Sequence, residues 1–383
     1  MASADLPIFL DYNATTPCAP EVLEEMIPFF TNHFGNPASK SHAYGWLAEE
    51  AVDEAREKVA KLIGASSQQI IFTSGATEAI NLAIRGMAEQ QPKKSVHLIS
   101  FQSEHKAVLD CLAFLEQSGH SVTLLPVDSN GRPNLSDLRN AIRPETRLVA
   151  MMLANNETGT IMPVDEVGQI CREAGLTFFC DATQAAGKIP IDVKKSQISL
   201  LALSGHKFYG PKGVGALYLT NGVTRPTPLQ FGGGHEKGLR SGTLNVPGIV
   251  GLGKASELAL NQIPSSQKKF QTLKGSFLGG LNKFTNTSIN GGLINVLPNT
   301  INVCFDFNGG ERLMDLISSK VAVSRGSACS SAISKPSHVL KSIGLSDGQA
   351  YRSIRFSFGR TTTETEIAHT LEIIESALKS LKI

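Results

Sequence analysis

Apolar residues along this chain fall into two alternating patterns. Short continuous runs, the mark of strands buried on both faces, predict strands over 69–73, 95–100, 122–127, 147–154, 176–180, 198–203 and 214–219. Between several of these runs, apolar residues recur at three- and four-residue spacing. They predict helices over 79–87, 106–117, 135–142 and 164–174. Helices over 21–30 and 45–62 come earlier, the second with Leu47, Ala51, Ala55, Val59 and Leu62 on one face. Strands alternating with helices in this way predict an α/β fold with a mostly parallel sheet covered by helices.

The pattern changes after a helix predicted over 246–260. Asn261-Gln-Ile-Pro-Ser-Ser-Gln-Lys-Lys269 is polar and contains a proline, as a surface loop or the way into a second lobe would. Beyond it come a helix over 271–283, a strand over 299–305, a helix over 312–318, a helix ending near 340, a strand over 353–358 and an amphipathic helix over 363–381. The expected division is a large domain over 15–260 and a smaller α+β domain built from 1–14 and 261–383.

Composition narrows the function classes. With 383 residues, 41% of them hydrophobic and 18% charged, the chain has the balance of a two-domain globular protein. Its 36 Lys and Arg against 34 Asp and Glu set up no field for nucleic acid or an anionic membrane. No apolar run approaches the roughly 20 residues of a spanning helix, and Met1-Ala-Ser-Ala-Asp-Leu-Pro7 lacks the features of a secretory signal. The six cysteines form no Cys-x-x-Cys pair and match neither a zinc site nor a disulfide framework. A reducing, cytoplasmic setting is expected. Five of them sit in apolar or helical context as small core residues; Cys329, among Gly, Ser and Ala, does not.

Candidate chemistry gathers where predicted strands end. The run over 198–203 stops at Ser204-Gly-His-Lys207, and a glycine-rich segment leads into the next strand. A lysine at the mouth of two buried strands is desolvated and its pKa lowered, as a Schiff-base lysine requires. A solvated surface turn fits the same letters. Strand 69–73 runs into Ser74-Gly-Ala-Thr-Glu78 and a helix, a unit that offers backbone N–H groups and a helix dipole to an anion. An ordinary helix cap reads the same way. His105, Asn156, Asp181 and Gln184 also stand at strand ends, where open α/β sheets collect ligands. Each alone has a structural explanation; their common location favours a site.

Eight motifs together resemble, in order, the class V aminotransferases of fold-type I, and among them the cysteine desulfurases of the NifS/IscS kind. They are Asp11-Tyr-Asn-Ala-Thr-Thr-Pro17, Gly75-Ala-Thr-Glu78, Ser103-Glu-His105, Asn155-Asn-Glu-Thr-Gly159, Asp181-Ala-Thr-Gln184, Ser204-Gly-His-Lys207, Arg240-Ser-Gly-Thr243 and Gly326-Ser-Ala-Cys329. The resemblance implies a large domain with a seven-stranded, mostly parallel sheet, a smaller α+β domain, and pyridoxal 5′-phosphate as cofactor. It implies that Lys207 carries the cofactor and moves the substrate α-proton, and that Asp181 pairs with the pyridine nitrogen. His105 would stack on the ring and assist proton transfer, while Asn156 and Gln184 hydrogen-bond its phenolic oxygen. Gly75, Ala76, Thr77, Ser204 and His206 would hold the phosphate, joined by Thr243 from the partner of a homodimer. Arg355, with Asn13 and Asn156, would bind the substrate, its guanidinium clamping the carboxylate.

Cys329 would be the nucleophile that takes sulfur from L-cysteine as a persulfide, leaving L-alanine. The sulfur would pass to an acceptor protein for iron–sulfur clusters or other sulfur-containing cofactors; no metal, nucleic acid or membrane is implied. A selenocysteine lyase, a cysteine/cystine C–S lyase, or a binding platform on the same fold are the rival readings. Scaffold-binding members carry an extended tail after the last helix, where this chain stops at Leu381-Lys-Ile383. Sulfur delivery through such a tail is therefore left open.

Overall fold

The computed structural model describes residues 6–90, 95–307, 309–325 and 335–381. Cys329 lies outside the described residues. The strands are β1 (Ile8–Phe9), β2 (Ile70–Thr73), β3 (His97–Phe101), β4 (Ser121–Leu125), β5 (Thr146–Met152), β6 (Thr177–Asp181), β7 (Leu200–Ser204), β8 (Gly215–Leu219), β9 (Thr287–Ile289), β10 (Thr300–Phe305), β11 (Val321–Ala322) and β12 (Ser353–Ser357). The helices are α1 (Pro20–Met26), α2 (Pro28–Thr31), α3 (Ala43–Leu62), α4 (Ala76–Ala88), α5 (Lys106–Gln117), α6 (Leu135–Ala141), α7 (Val164–Glu173), α8 (Val246–Leu281), α9 (Leu313–Ile317), α10 (His338–Ser342), α11 (Asp347–Tyr351) and α12 (Glu364–Ser380).

The expected seven-stranded sheet is present, in the order β2-β8-β7-β6-β5-β3-β4. Only β8 runs against its neighbours; the other pairings are parallel. Side chains alternate between the faces as a pleat requires. Ile70, Phe72, Leu201 and Leu203 enter the core shared with α3, α7 and the first half of α8. Ile71, Leu200 and Ala202 enter the opposite core, under α4 and α5. Because both faces are covered, these strands read as unbroken apolar runs rather than alternating ones. From β3 the chain moves outward to β4, then returns to β5 on the other side of β3. That reversal opens a crevice beyond the carboxyl ends of β3 and β5. Pairing of Met152 with Asp181, and of Asp181 with Ala202, aligns three strand ends along its floor.

A second, antiparallel sheet has the order β12-β10-β9. Its core is Ile301, Val303, Phe305, Ile354 and Phe356 against Phe277 of α8 and Ile374 of α12. Parallel β1 and β11 adjoin it through bridges from Asp11 to Ser357 and from Ser324 to Arg355.

Two predicted elements are corrected. The helix expected over 21–30 is split at Ile27, because Pro28 has no N–H to donate and so interrupts the hydrogen-bond ladder, although Ile27 itself keeps helical φ and ψ. Conversely, the polar stretch 261–269 is no break: α8 runs unbroken from Val246 to Leu281 with Pro264 inside. Ala255, Ala259, Ile263, Phe270, Leu273, Phe277 and Leu281 continue one buried stripe at helical spacing through it. The polar residues are the solvent face of that helix, and the expected boundary at 260 falls within it.

Candidate active site

The crevice holds a cavity of about 470 Å³, within the range of small-molecule sites. Its lining includes Asn13, Gly75, Ala76, Thr77, His105, Asn156, Asp181, Gln184, Ser204, His206, Lys207 and Arg355. Of the predicted site residues that are described, Thr243 alone is not in that lining; Cys329 lies outside the described residues. Thr243 is exposed on the loop before α8.

Lys207 closes a short turn directly after β7. Its Nζ donates to the carbonyls of Asn13 (2.7 Å) and Ala14 (2.8 Å), so the amine is held at the cavity wall and not out in solvent. Asp181, the last residue of β6, is buried. Its Oδ1 accepts from the Thr183 backbone N–H at 2.9 Å and from the Thr183 hydroxyl, which fixes the carboxylate plane. His105 caps α5: its Nδ1 accepts from the Ala107 N–H at 3.1 Å, leaving the proton of the neutral ring on Nε2. Burial lowers the His105 pKa, opposed by the Asp181 charge, so the ring is neutral near pH 7.

At the other end of the cavity, β2 gives way to α4 at Gly75, whose φ of 153° is one that L side chains rarely adopt. The helix begins at Ala76, three residues before the expected start, so Thr77 lies in its first turn beside unpaired backbone N–H groups. β8 packs close behind: a Cβ on Gly215 would lie 2.7 Å from the Gly75 Cα. Ser204 and His206 line this end of the cavity. His206 Nδ1 is paired with Thr15 Oγ1 at 3.1 Å, and burial, then the Lys207 and Lys212 charges, push its pKa down to about 4. It acts as a neutral hydrogen-bonding ring.

Arg355 is buried on β12, which carries it from the second sheet to the cavity. Nη1 donates to the Asn156 carbonyl at 2.8 Å and Nη2 pairs with Asp11 Oδ1 at 2.6 Å. Its Nε, like Asn156 Oδ1, is buried without a partner among the described residues. Asn13 differs, since its side chain is engaged within the protein. Nδ2 donates to the Asn156 carbonyl (3.2 Å) and Thr300 Oγ1 (2.9 Å), while Oδ1 accepts from Lys188 (3.1 Å) and Asn299 (3.2 Å). Asn13 therefore orders the site more than it offers groups to a ligand.

These donors fit pyridoxal 5′-phosphate. A buried carboxylate suits a protonated ring nitrogen, a neutral imidazole suits a ring face, and a helix N-terminus with Ser204 and His206 suits a phosphate. Asn156 and Arg355, which line the same space, each carry a buried polar atom that has no partner among the described residues. An unsatisfied buried polar atom in a native fold points to a missing partner. Residues not singled out from the sequence also contribute: Thr183 steadies Asp181, Thr15 pairs with His206, and buried Lys188 lies behind Gln184. The spacing of Gln184 and Lys188, four apart as on one helical turn, was the available signal for the last.

The comparisons with known proteins agree with this geometry. The family model for aminotransferase class-V matches residues 8–369. A cysteine desulfurase IscS of Anaeromyxobacter sp. (strain Fw109-5) is 49% identical over 379 residues, covering 98% of this chain and 94% of that protein. Among solved structures, a NifS-like protein superposes with a TM-score of 0.91 at 39% identity, covering 98% of this chain and 100% of that one. SspA in complex with cysteine superposes with a TM-score of 0.83, also at 39% identity, over 92% and 98% of the two chains. A match across nearly the whole length, with the motif residues gathered round one cavity, leaves one conclusion: this chain belongs to the class V aminotransferase family.

Proposed function

We propose that this protein is a pyridoxal 5′-phosphate-dependent cysteine desulfurase, converting L-cysteine to L-alanine and transferring the sulfur to Cys329 as a persulfide. The observation that carries the reading is the cavity itself, with Lys207, Asp181, His105 and Arg355 brought to it from the turn after β7, the end of β6, the cap of α5 and β12. Its relatives are named cysteine desulfurase, and one similar structure holds cysteine.

The chain's own groups have separate tasks. Arg355 binds the substrate carboxylate, and Lys207 Nζ removes the proton from the substrate Cα and returns a proton to the product. His105 donates or accepts at Nε2, which its cap to Ala107 leaves available. Asp181 holds the ring nitrogen protonated, Asn156 and Gln184 orient the ring oxygen, and Gly75, Ala76, Thr77, Ser204 and His206 hold the phosphate. Pyridoxal 5′-phosphate, when bound, supplies an electron sink for the negative charge developing at Cα. In the net transfer the C–S bond of the substrate breaks and an S–S bond forms at the Cys329 sulfur. Cysteine and one enzyme thiol become alanine and one enzyme persulfide, so atoms and electrons balance without another reagent.

The remaining thiols support the choice of nucleophile. Burial pushes Cys171 up to about 12 and Cys111 up to about 11, and raises Cys18, Cys180 and Cys304 as well. A thiol held protonated is a poor nucleophile. We further read the protein as a cytoplasmic homodimer, with exposed Thr243 completing the partner's phosphate site and a sulfur-acceptor protein receiving the persulfide sulfur for iron–sulfur clusters or other sulfur-containing cofactors. Among the described residues no helix is long and apolar enough to cross a membrane. The test is to supply L-cysteine without reductant: mass spectrometry should find one added sulfur on Cys329 for each alanine released in the first turnover. Alanine formed with no sulfur on that residue would refute the assignment.

A further inference from the structure

Among the described residues, Lys188 is the one buried lysine, and the proposed chemistry leaves it without a task. It is 6% exposed. Burial, then the Lys207 and Arg355 charges, hold its pKa well below the usual lysine range. No ion pair joins it among the described residues. Its Nζ reaches Gln184 Oε1 at 2.7 Å and Asn13 Oδ1 at 3.1 Å.

The orientation of both amides is fixed by backbone carbonyls, which only accept. Asn13 Nδ2 points at the Asn156 carbonyl, so Asn13 Oδ1 faces Lys188. Gln184 Nε2 points at the Asn13 carbonyl at 2.9 Å, so Gln184 Oε1 faces Lys188 as well. Lys188 has at least two N–H groups in either protonation state and satisfies both oxygens. Without it, Gln184 Oε1 would be buried with no donor, and the bond from Nε2 to the Asn13 carbonyl would be left to hold the amide. The Asn13 carbonyl that receives Gln184 also receives Lys207. One hydrogen-bonded cluster thus links Lys188 to the cofactor-bearing lysine.

We propose that Lys188 is a positioning residue of the cofactor site: it holds the Gln184 amide with its N–H groups toward Asn13 and the cavity, where a hydrogen-bond-accepting oxygen of the cofactor ring is received. The inference rests on the cavity being the pyridoxal 5′-phosphate site. It requires that the contribution of Lys188 pass through Gln184.

The test is a double-mutant cycle on apoprotein titrated with pyridoxal 5′-phosphate, reading the dissociation constant and the absorption maximum of the bound cofactor. Lys188→Met is expected to weaken binding about tenfold, the loss of one well-placed hydrogen bond, and to shift the maximum. In the Gln184→Ala background the same change is expected to alter affinity less than about twofold, since coupled residues are not additive. Gln184→Glu keeps a partner for Lys188 but presents an acceptor where the N–H stood. It is expected to bind cofactor at least about tenfold more weakly, and it keeps the inference testable if Lys188→Met does not fold. Wild-type affinity in Lys188→Met or in Gln184→Glu overturns the inference. So does a full tenfold loss on adding Lys188→Met to Gln184→Ala, because a merely structural lysine would act independently of Gln184. Failure of the wild-type apoprotein to take up cofactor would overturn the site reading, and this inference with it.

Discussion

Arg355→Lys separates substrate binding from chemistry. Arg355 is 2% exposed and already donates to the Asn156 carbonyl at 2.8 Å and to Asp11 Oδ1 at 2.6 Å. Its unpartnered Nε lies buried beside the same cavity. A guanidinium can keep both protein contacts and still offer N–H groups to a carboxylate; a lysine ammonium's three N–H groups radiate from one nitrogen and cannot reproduce the planar fork that spans Asn156, Asp11 and a carboxylate together. A hydrogen bond to a charged partner contributes about 1.5–3 kcal/mol, and each 1.4 kcal/mol is a factor of about ten. The residual positive charge recovers part of the attraction, so KM for L-cysteine is expected to rise roughly 10- to 100-fold. Because the carboxylate is remote from the bond that breaks, kcat is expected to stay within about threefold. Alanine release measured against L-cysteine concentration gives both constants, with cofactor occupancy checked by absorbance. A KM within about twofold of wild type would refute the carboxylate clamp. A fall in kcat at unchanged KM would assign Arg355 to the chemical step instead.

Three further outcomes are expected. Asp181→Asn keeps an Oδ1 that can accept from Thr183 but loses the charge that holds the ring proton, so turnover should fall roughly a hundredfold with the fold intact; near-wild-type turnover would exclude that role. Cys329→Ser should bind cofactor and cysteine, shown by a spectral change, yet release less than about a hundredth of the alanine, because a hydroxyl is not a soft anionic nucleophile; wild-type alanine release would sink the persulfide route. In the apoprotein, His206 titrates at about 4, below its unfolded value of 6.5, so its contribution to stability is present above 6.5 and is lost as pH falls toward 4. Discounted for partial exposure, about 1 kcal/mol of the urea-unfolding free energy lost between pH 7 and pH 5 should disappear in His206→Gln; an identical loss in both proteins would contradict it.

Much of the large sheet was legible in the sequence because its strands are buried on both faces and its helices on one. Both patterns are local. What the sequence misread depends on neighbours that local patterns do not see. The polar face of α8 over 261–269 resembles a linker until Ile263 and Phe270 are placed in two different cores. The site residues were legible as strand ends, and His105, Asp181 and Lys207 were all found that way. Thr183 and Thr15 were not, since a threonine in a turn carries no mark of its partner in the chain, and Lys188 was marked only by its four-residue spacing from Gln184.

Asn13 shows why the last part is not local. Its N–H donates to Ser357 Oγ, and its carbonyl receives Lys207 and Gln184. Its side chain joins Lys188, Asn299, Thr300 and the Asn156 carbonyl. Those partners are from 143 to 344 residues away in sequence. They come from both sheets, so the join between the sheets and the geometry of the site are one hydrogen-bonded arrangement. A buried polar cluster of this kind is stable only when each member is satisfied. Any shift of the second sheet that moved Arg355 would also disturb the carbonyls of Asn13 and Asn156, and through Asn13 the amine of Lys207. Arg355 on the second sheet and Lys207 in the turn after β7 are therefore linked through one residue of the amino-terminal segment.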